Sequence, residues 1–266
     1  MNDASAMNCC GSELMPKDYL ALETRWINRE VADSALLRRV DSLTGREIVG
    51  RKSGNMAGLL IPFVHPILKQ ITEYCLRRDE PDLEIRNGKQ KETGKYIMPP
   101  GARNRAYFPP AVTADLLTGD VPLIITEGQF KTLALWRFAT EGRDAARFLP
   151  MGLSGVWNWR GVTGKATGPN GGRRDVKGVI SDFDLLHLKD RLVIIAFDAD
   201  AKDNENVRIA RAGLAKELRS RGASVDFLEW DIAKGKGIDT WQQSDPTRSW
   251  KKSPASISTG VIGAQI

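Results

Sequence analysis

The sequence holds only 3 cysteines (Cys9, Cys10 and Cys75) and 2 histidines (His65 and His187) among its 266 residues. So few thiols exclude a disulfide framework, and without partners at ligand spacing they exclude a zinc ribbon. Each histidine is isolated and reads as structural or superficial. No apolar run is long enough to span a bilayer, and the first residues lack the basic-then-apolar pattern of a secretory signal. These absences set the expectation of a cytoplasmic protein with no membrane partner. A P-loop is missing too. In Trp159-Arg-Gly-Val-Thr-Gly164-Lys165-Ala166, a Trp stands where the first glycine belongs and an Ala where Ser or Thr must follow the lysine. There is no internal repeat.

What is present is an ordinary globular composition, 41% hydrophobic and 27% charged, with enough chain for one large domain or two small ones. The 39 Lys+Arg against 33 Asp+Glu leave a formal charge of +6, compatible with a polyanionic partner.

Residues 1–20 read as a disordered lead-in. Residues 21–118 form a first, basic region. Leu22, Trp26, Val31, Leu36, Leu37 and Val40 recur at roughly helical spacing. Leu59–Val64 then reads as a strand whose Pro62 favours an edge or strand end, and Ile71–Arg78 as its partner. A polar connection with Arg86, Lys89, Lys91 and Lys95 follows, then a turn-rich stretch from Met98 to Pro110.

The second region, 119–245, alternates strands and helices, the rhythm of βαβ units. Strands are expected at Val121–Thr126, Arg147–Met151, Leu192–Phe197 and Val225–Trp230. Helices are expected at Phe130–Thr140 and Asn204–Gly222, the second closing on a C-terminal glycine. Residues 152–178 read as a glycine-rich basic loop, and 246–266 as a flexible tail.

The chemistry concentrates where these strands end. Leu192-Val-Ile-Ile-Ala-Phe-Asp198-Ala-Asp200 is an apolar run without polar alternation, as for a strand buried on both faces, closing in two carboxylates. Ligands in parallel sheets bind beyond the carboxyl ends of the strands. Two carboxylates this close repel unless a cation intervenes, and hard oxygen donors suit magnesium. The plain alternative is a helix cap beside a solvated acid. Glu127-Gly128 ends the strand at Val121–Thr126, and Lys234-Gly-Lys236-Gly-Ile-Asp239 follows Trp230, adding acids and lysines to one sheet edge. Such a set fits metal-assisted phosphoryl chemistry, with a glutamate moving the proton if the site raises its pKa.

The pattern Ile124-Ile-Thr-Glu127-Gly128, Ala196-Phe-Asp198-Ala-Asp200 and Lys236-Gly-Ile-Asp239 resembles the Toprim domain of topoisomerases and bacterial-type primases. Upstream, Leu60-Ile-Pro62-Phe63, Tyr74 to Arg78, and Lys95-Tyr96 with Tyr107-Phe108 resemble the basic subdomain that precedes Toprim in such primases. Over residues 21–245 the resemblance is strongest to an uncharacterised Toprim group of phage and plasmid replication proteins, often fused to helicases. It implies an α/β fold: a parallel-sheet Toprim domain flanked by helices, after a basic α+β primase-like subdomain. It implies that Glu127, Asp198 and Asp200 are catalytic and hold Mg2+ (or Mn2+), assisted by Asp239. It implies that Arg77, Arg78 and Lys95 face nucleic acid or nucleotide phosphates. Lys131, Lys165, Arg173, Arg174 and Lys236 join them as basic residues near the acids. The expected partners are a single-stranded DNA or RNA template, nucleoside triphosphates and a replicative helicase.

Three departures stand out. The zinc-binding domain of such primases is missing, no helicase follows, and Lys131 stands where primases commonly carry an acid. Primase-like nucleotidyl transfer is the leading expectation. Toprim-type nuclease cleavage and a non-catalytic nucleic-acid-binding accessory role remain open beside it. Trp157, Trp159 and Arg160 read either as a base-stacking platform or, more simply, as loop anchors.

Overall fold

The apolar runs of the second region become neighbouring strands of one sheet because their side chains are buried on both faces. The computed structural model describes residues 10–86, 88–168, 170–198, 204–229 and 237. The first region contains α1 (Pro16–Glu23), α2 (Arg29–Ser34), β1 (Arg38–Val40), α3 (Ser42–Val49), β2 (Gly58–Val64), β3 (Ile71–Arg78), β4 (Asp82–Arg86), β5 (Lys89–Thr93), β6 (Tyr96–Ile97) and β7 (Ala106–Tyr107). The second contains α4 (Ala114–Thr118), β8 (Leu123–Glu127), α5 (Gln129–Thr140), β9 (Leu149–Leu153), β10 (Arg160–Thr167) and β11 (Arg173–Val179). A 3-10 turn over Ser181–Leu185, β12 (Leu192–Ala196), α6 (Glu205–Ser220) and β13 (Ser224–Phe227) complete it.

The second region is built on a five-stranded sheet in the order β13-β12-β8-β9-β7. The first four strands are parallel, and β7 runs antiparallel against β9. β7 comes from the first region, so the two regions share a sheet. They also share a core: Leu22, Val31 and Phe63 belong to the same buried cluster as Leu133, Ile195 and Leu214. Each such side chain withdrawn from water contributes about 2 kcal/mol. Helix α6 lays Ala210, Leu214 and Leu218 on the sheet at four-residue spacing, and its N-cap Asn204 accepts from the Asn206 and Val207 amides.

The first region has its own antiparallel sheet, β1-β2-β3-β6. Strand β2 is paired on both sides, but β1 reaches only Gly58–Leu60. Pro62 therefore sits where one flank of β2 is unpaired, as the missing N–H of proline requires.

The structure corrects several expectations. Part of the supposed lead-in is ordered: α1 starts at Pro16, and Ser12 exchanges backbone hydrogen bonds with Arg39. The helix expected over 21–40 is two short helices and a strand, because Trp26 and Leu36 adopt positive φ and interrupt it. Asp18 and Arg39 pair across these elements. Burial would raise the Asp18 carboxyl, but hydrogen bonds from Arg39 and the Met15 amide outweigh it and hold the group below its ordinary range. The connection around Lys91 is the hairpin β4-β5, and the loop assigned to 152–178 holds the hairpin β10-β11.

Candidate active site

Glu127 is the last residue of β8, and the chain then turns sharply into α5. Gly128 makes that turn at φ +92, a conformation costly for residues with a Cβ. Its amide donates to the Leu153 carbonyl at 2.7 Å, and the Thr132 hydroxyl donates back to the Gly128 carbonyl at 2.8 Å. The neighbouring strand must pass close by. A Cβ on Gly152 would lie 2.3 Å from Thr132 Oγ1, which explains a glycine in the middle of β9.

Strand β12 enters in register with β8, pairing Ala196 with Thr126. The buried Thr126 hydroxyl donates to the Ala196 carbonyl at 3.0 Å. This lock brings Asp198 out at the same sheet edge as Glu127. Lys131, on the first turn of α5, reaches across and pairs with Asp198 through Nζ and Oδ1. The two side chains are only 19% and 16% exposed, so the pair is screened less than a surface bridge.

The facing wall comes from the first region. Phe130 is ringed by the Arg77 guanidinium at 5.4 Å, the Arg25 guanidinium at 5.9 Å and an edge-on Tyr96 at 6.5 Å. Between the walls lies a cleft of about 260 Å³ lined by Arg25, Tyr96, Glu127, Phe130, Lys131 and Asn158, among others. Cys75 also lines it, but burial pushes its thiol up to about 12, so it stays protonated.

Arg77 and Arg78, adjacent in β3, have opposite fates. Arg77 stacks at the cleft, and its Nε has no hydrogen-bond partner. Arg78 is 3% exposed, donating to the Asn55 carbonyl at 2.9 Å and forking onto Asp82 at 2.7 and 3.0 Å. Its expected phosphate-facing role is therefore corrected to a structural one, bracing the base of β4-β5. Lys95 lies at the surface, 2.7 Å from Glu92. Lys165, Arg173 and Arg174 lie on the exposed hairpin β10-β11, Lys165 2.6 Å from Asp175. Asp200, Lys236 and Asp239 fall outside the described residues. The histidine reading agrees with the geometry at His65, whose Nδ1 accepts from the Ile67 and Leu68 amides. Trp159 is buried as an anchor, while Trp157 is half-exposed and donates to Asn206 at 3.1 Å.

Among the described residues no three His, Cys, Asp or Glu side chains cluster as a metal site. The donor chemistry still fits a hard cation. Two carboxylates end adjacent parallel strands, and one of them already holds a cation in the Lys131 ammonium.

A second hollow, of about 310 Å³, lies beside the base of β10-β11. In its wall Asp182 is 6% exposed, its Oδ2 has no hydrogen-bond partner, and Arg105 stands 3.8 Å from Oδ1. Burial raises this carboxyl above its ordinary value, against the pull of Arg105. A raised acid favours folding most below the ordinary Asp range, about pH 4, and loses that contribution as pH rises through the raised value. Asp182→Asn is therefore expected to melt no lower than wild type at neutral pH and to flatten that dependence. Thermal melts across acidic to neutral pH check this; a variant that melts well below wild type at neutral pH overturns it.

Among solved structures, the chain superposes on the crystal structure of the Aquifex aeolicus primase (zinc-binding and RNA polymerase domains) with a TM-score of 0.53 at 14% identity. The match covers 86% of this chain and 53% of that one. The fold is primase-like. This chain spans about half the length of that structure, and identity this low shows the fold alone. Residues 115–245 match a family described as a domain of unknown function, DUF3854. No curated protein matches the chain. Within the primase-like fold, Arg25 and Phe130 are among the cleft residues that escaped the sequence reading. Arg25 carried no motif, and Phe130 read as one more apolar position of a helix.

Proposed function

We propose that this protein is a metal-dependent nucleotidyltransferase that extends a strand on a single-stranded nucleic-acid template, in the replication of a mobile element. The observation that carries the reading is the cleft itself. It sets Glu127 and Lys131 at the edge of the parallel sheet against Arg25, with Asp198 behind Lys131 and Arg77 stacked on Phe130, within a primase-like fold.

The 3′-hydroxyl of a primer or nucleotide attacks the α-phosphorus of a nucleoside triphosphate. A new P–O bond forms, and the bond to pyrophosphate breaks. Glu127 receives the hydroxyl proton. Asp198, with Asp200 and Asp239 from the same Toprim-like pattern, would hold Mg2+ or Mn2+. When bound, such an ion neutralises phosphate charge and lowers the pKa of the attacking hydroxyl. Lys131, Arg25 and Arg77 supply the remaining positive charge for the triphosphate, and the apolar Phe130 floor keeps water from that side. A replicative helicase is the partner that the Toprim-like pattern implies.

The test is incorporation of labelled nucleotide on single-stranded DNA with magnesium or manganese. Extended products support the reading. Shortened DNA would replace it with the nuclease reading, and binding without any change to the DNA would replace it with the accessory role.

A further inference from the structure

The hairpin β10-β11 stands apart from the core, with nearly every side chain of its strands exposed or partly so. A two-stranded ribbon with nothing packed on it is marginal in isolation, so its base must hold it. Trp159 is buried beneath it, close enough to α6 that a Cβ on Gly213 would lie 3.1 Å from the indole. Asn104 donates to the Arg160 carbonyl at 2.6 Å, and the Ile180 amide to the Trp159 carbonyl at 3.1 Å. The ribbon is thus a fixed arm.

Its two faces differ. Strand β11 places Arg173, Asp175 and Lys177 on one face and Arg174 and Val176 on the other. The register adds Lys165, opposite Asp175, and Arg160, opposite Val179, to the first face. The second face carries Gly161, Gly164, Ala166 and Gly178 beside its one arginine. Four cations and one acid therefore line a single face. Its seven paired positions extend about 20 Å, long enough to follow several consecutive phosphates of a backbone.

We propose that this face is a docking arm for a nucleic-acid backbone, separate from the chemistry of the cleft. It binds phosphates through Lys165, Arg173 and Lys177, with Arg160 at its base and Arg174 turned away. The face has no aromatic side chain, so it contacts phosphates without stacking on bases and without reading sequence. The inference rests on the nucleic-acid reading above and deepens it by naming where the template is held.

The test is fluorescence anisotropy of a labelled 20-nucleotide oligo(dT), and of a duplex of the same length, across a salt series. The combined change Lys165→Ala, Arg173→Ala and Lys177→Ala is expected to lower affinity at least tenfold at low salt. It should flatten the log-log salt slope by about 2, at about 0.7 per lost phosphate contact. Arg174→Ala is expected to change affinity less than twofold. Asp175→Lys adds a cation to the same face and is expected to tighten binding, a gain that misfolding cannot mimic. Equal losses from Arg174→Ala and the triple variant, or no gain from Asp175→Lys, overturn the proposal. Ribbon-dependent binding by a wild type that incorporates no nucleotide keeps the arm and removes the polymerase reading. Undiminished binding by the triple variant, with incorporation intact, does the reverse.

Discussion

Asp198→Asn is expected to reduce nucleotide incorporation by about a thousandfold while leaving the melting temperature close to that of wild type. The magnitude is that of removing a positioned proton-transfer or charge-stabilising group. The stability half follows from position. Asp198 lies beyond the end of β12 and retains 16% exposure, and the Lys131 ammonium it releases keeps 19%. That lysine can turn toward water, so no charge is stranded in the core. Glu127→Gln at the neighbouring strand end should give a loss of similar size, and the double variant should lose little more than either single change, as groups acting as one unit do. Lys131→Met separates two roles. If the ammonium binds the triphosphate, the variant raises the KM for nucleotide. If it mainly occupies the Asp198 carboxylate, the variant lowers the magnesium concentration for half-maximal rate. Incorporation by Asp198→Asn at the wild-type rate would remove the sheet edge as the catalytic site.

Arg191→Met is expected to lower stability by about 3–5 kcal/mol, chiefly from the Val121 and Leu116 carbonyls left short of a donor, or about 10 °C in melting temperature for a domain of this size. The Arg191 side chain is 2% exposed. It donates from Nε to the Val121 carbonyl at 2.7 Å, from Nη1 to Leu117 at 2.8 Å and from Nη2 to Leu116 at 2.7 Å. One guanidinium thus closes the C-terminal end of α4 and fixes the entry to β8. Burial pulls it down to about 10, still charged at neutral pH. Arg191→Lys should not rescue, since one ammonium cannot span three carbonyls set for a planar fork. Melting curves decide; a drop of a degree or two would mean that other donors take over.

The parallel sheet was legible because its strands are buried on both faces. Leu192–Ala196 announces itself as an unbroken apolar run, and Leu123–Ile125 as a shorter one. The two hairpins were not. In β10-β11 most residues face water on both sides and no apolar alternation marks the strands; β4 does alternate, but its Leu83 and Ile85 are exposed and only five residues carry the pattern. The positions of the candidate residues followed the same logic. Glu127 and Asp198 were readable because a carboxylate that closes a doubly buried strand emerges at the sheet edge where ligands of parallel sheets bind. Arg77 and Arg78 were not separable, since neighbours in a strand point to opposite faces and only the partner strands show which face is the cleft. Nothing local marked Arg25, whose place depends on how a helical segment of the first region meets α5. Arg191 carried no local signal, because its three shortest hydrogen bonds go to carbonyls about 70 residues earlier in the chain.

Strand β7 has a practical side for anyone dividing this chain. Ala106 and Tyr107 cover the outer flank of β9, whose five residues are all buried. A piece beginning at residue 115, where the family match begins, would carry β9 without its cover. It would present a bare apolar strand edge, the kind of surface that recruits other chains and drives aggregation. For expression, the first region belongs with the second, since the two share a buried core as well as this sheet, whatever the boundary drawn by sequence similarity.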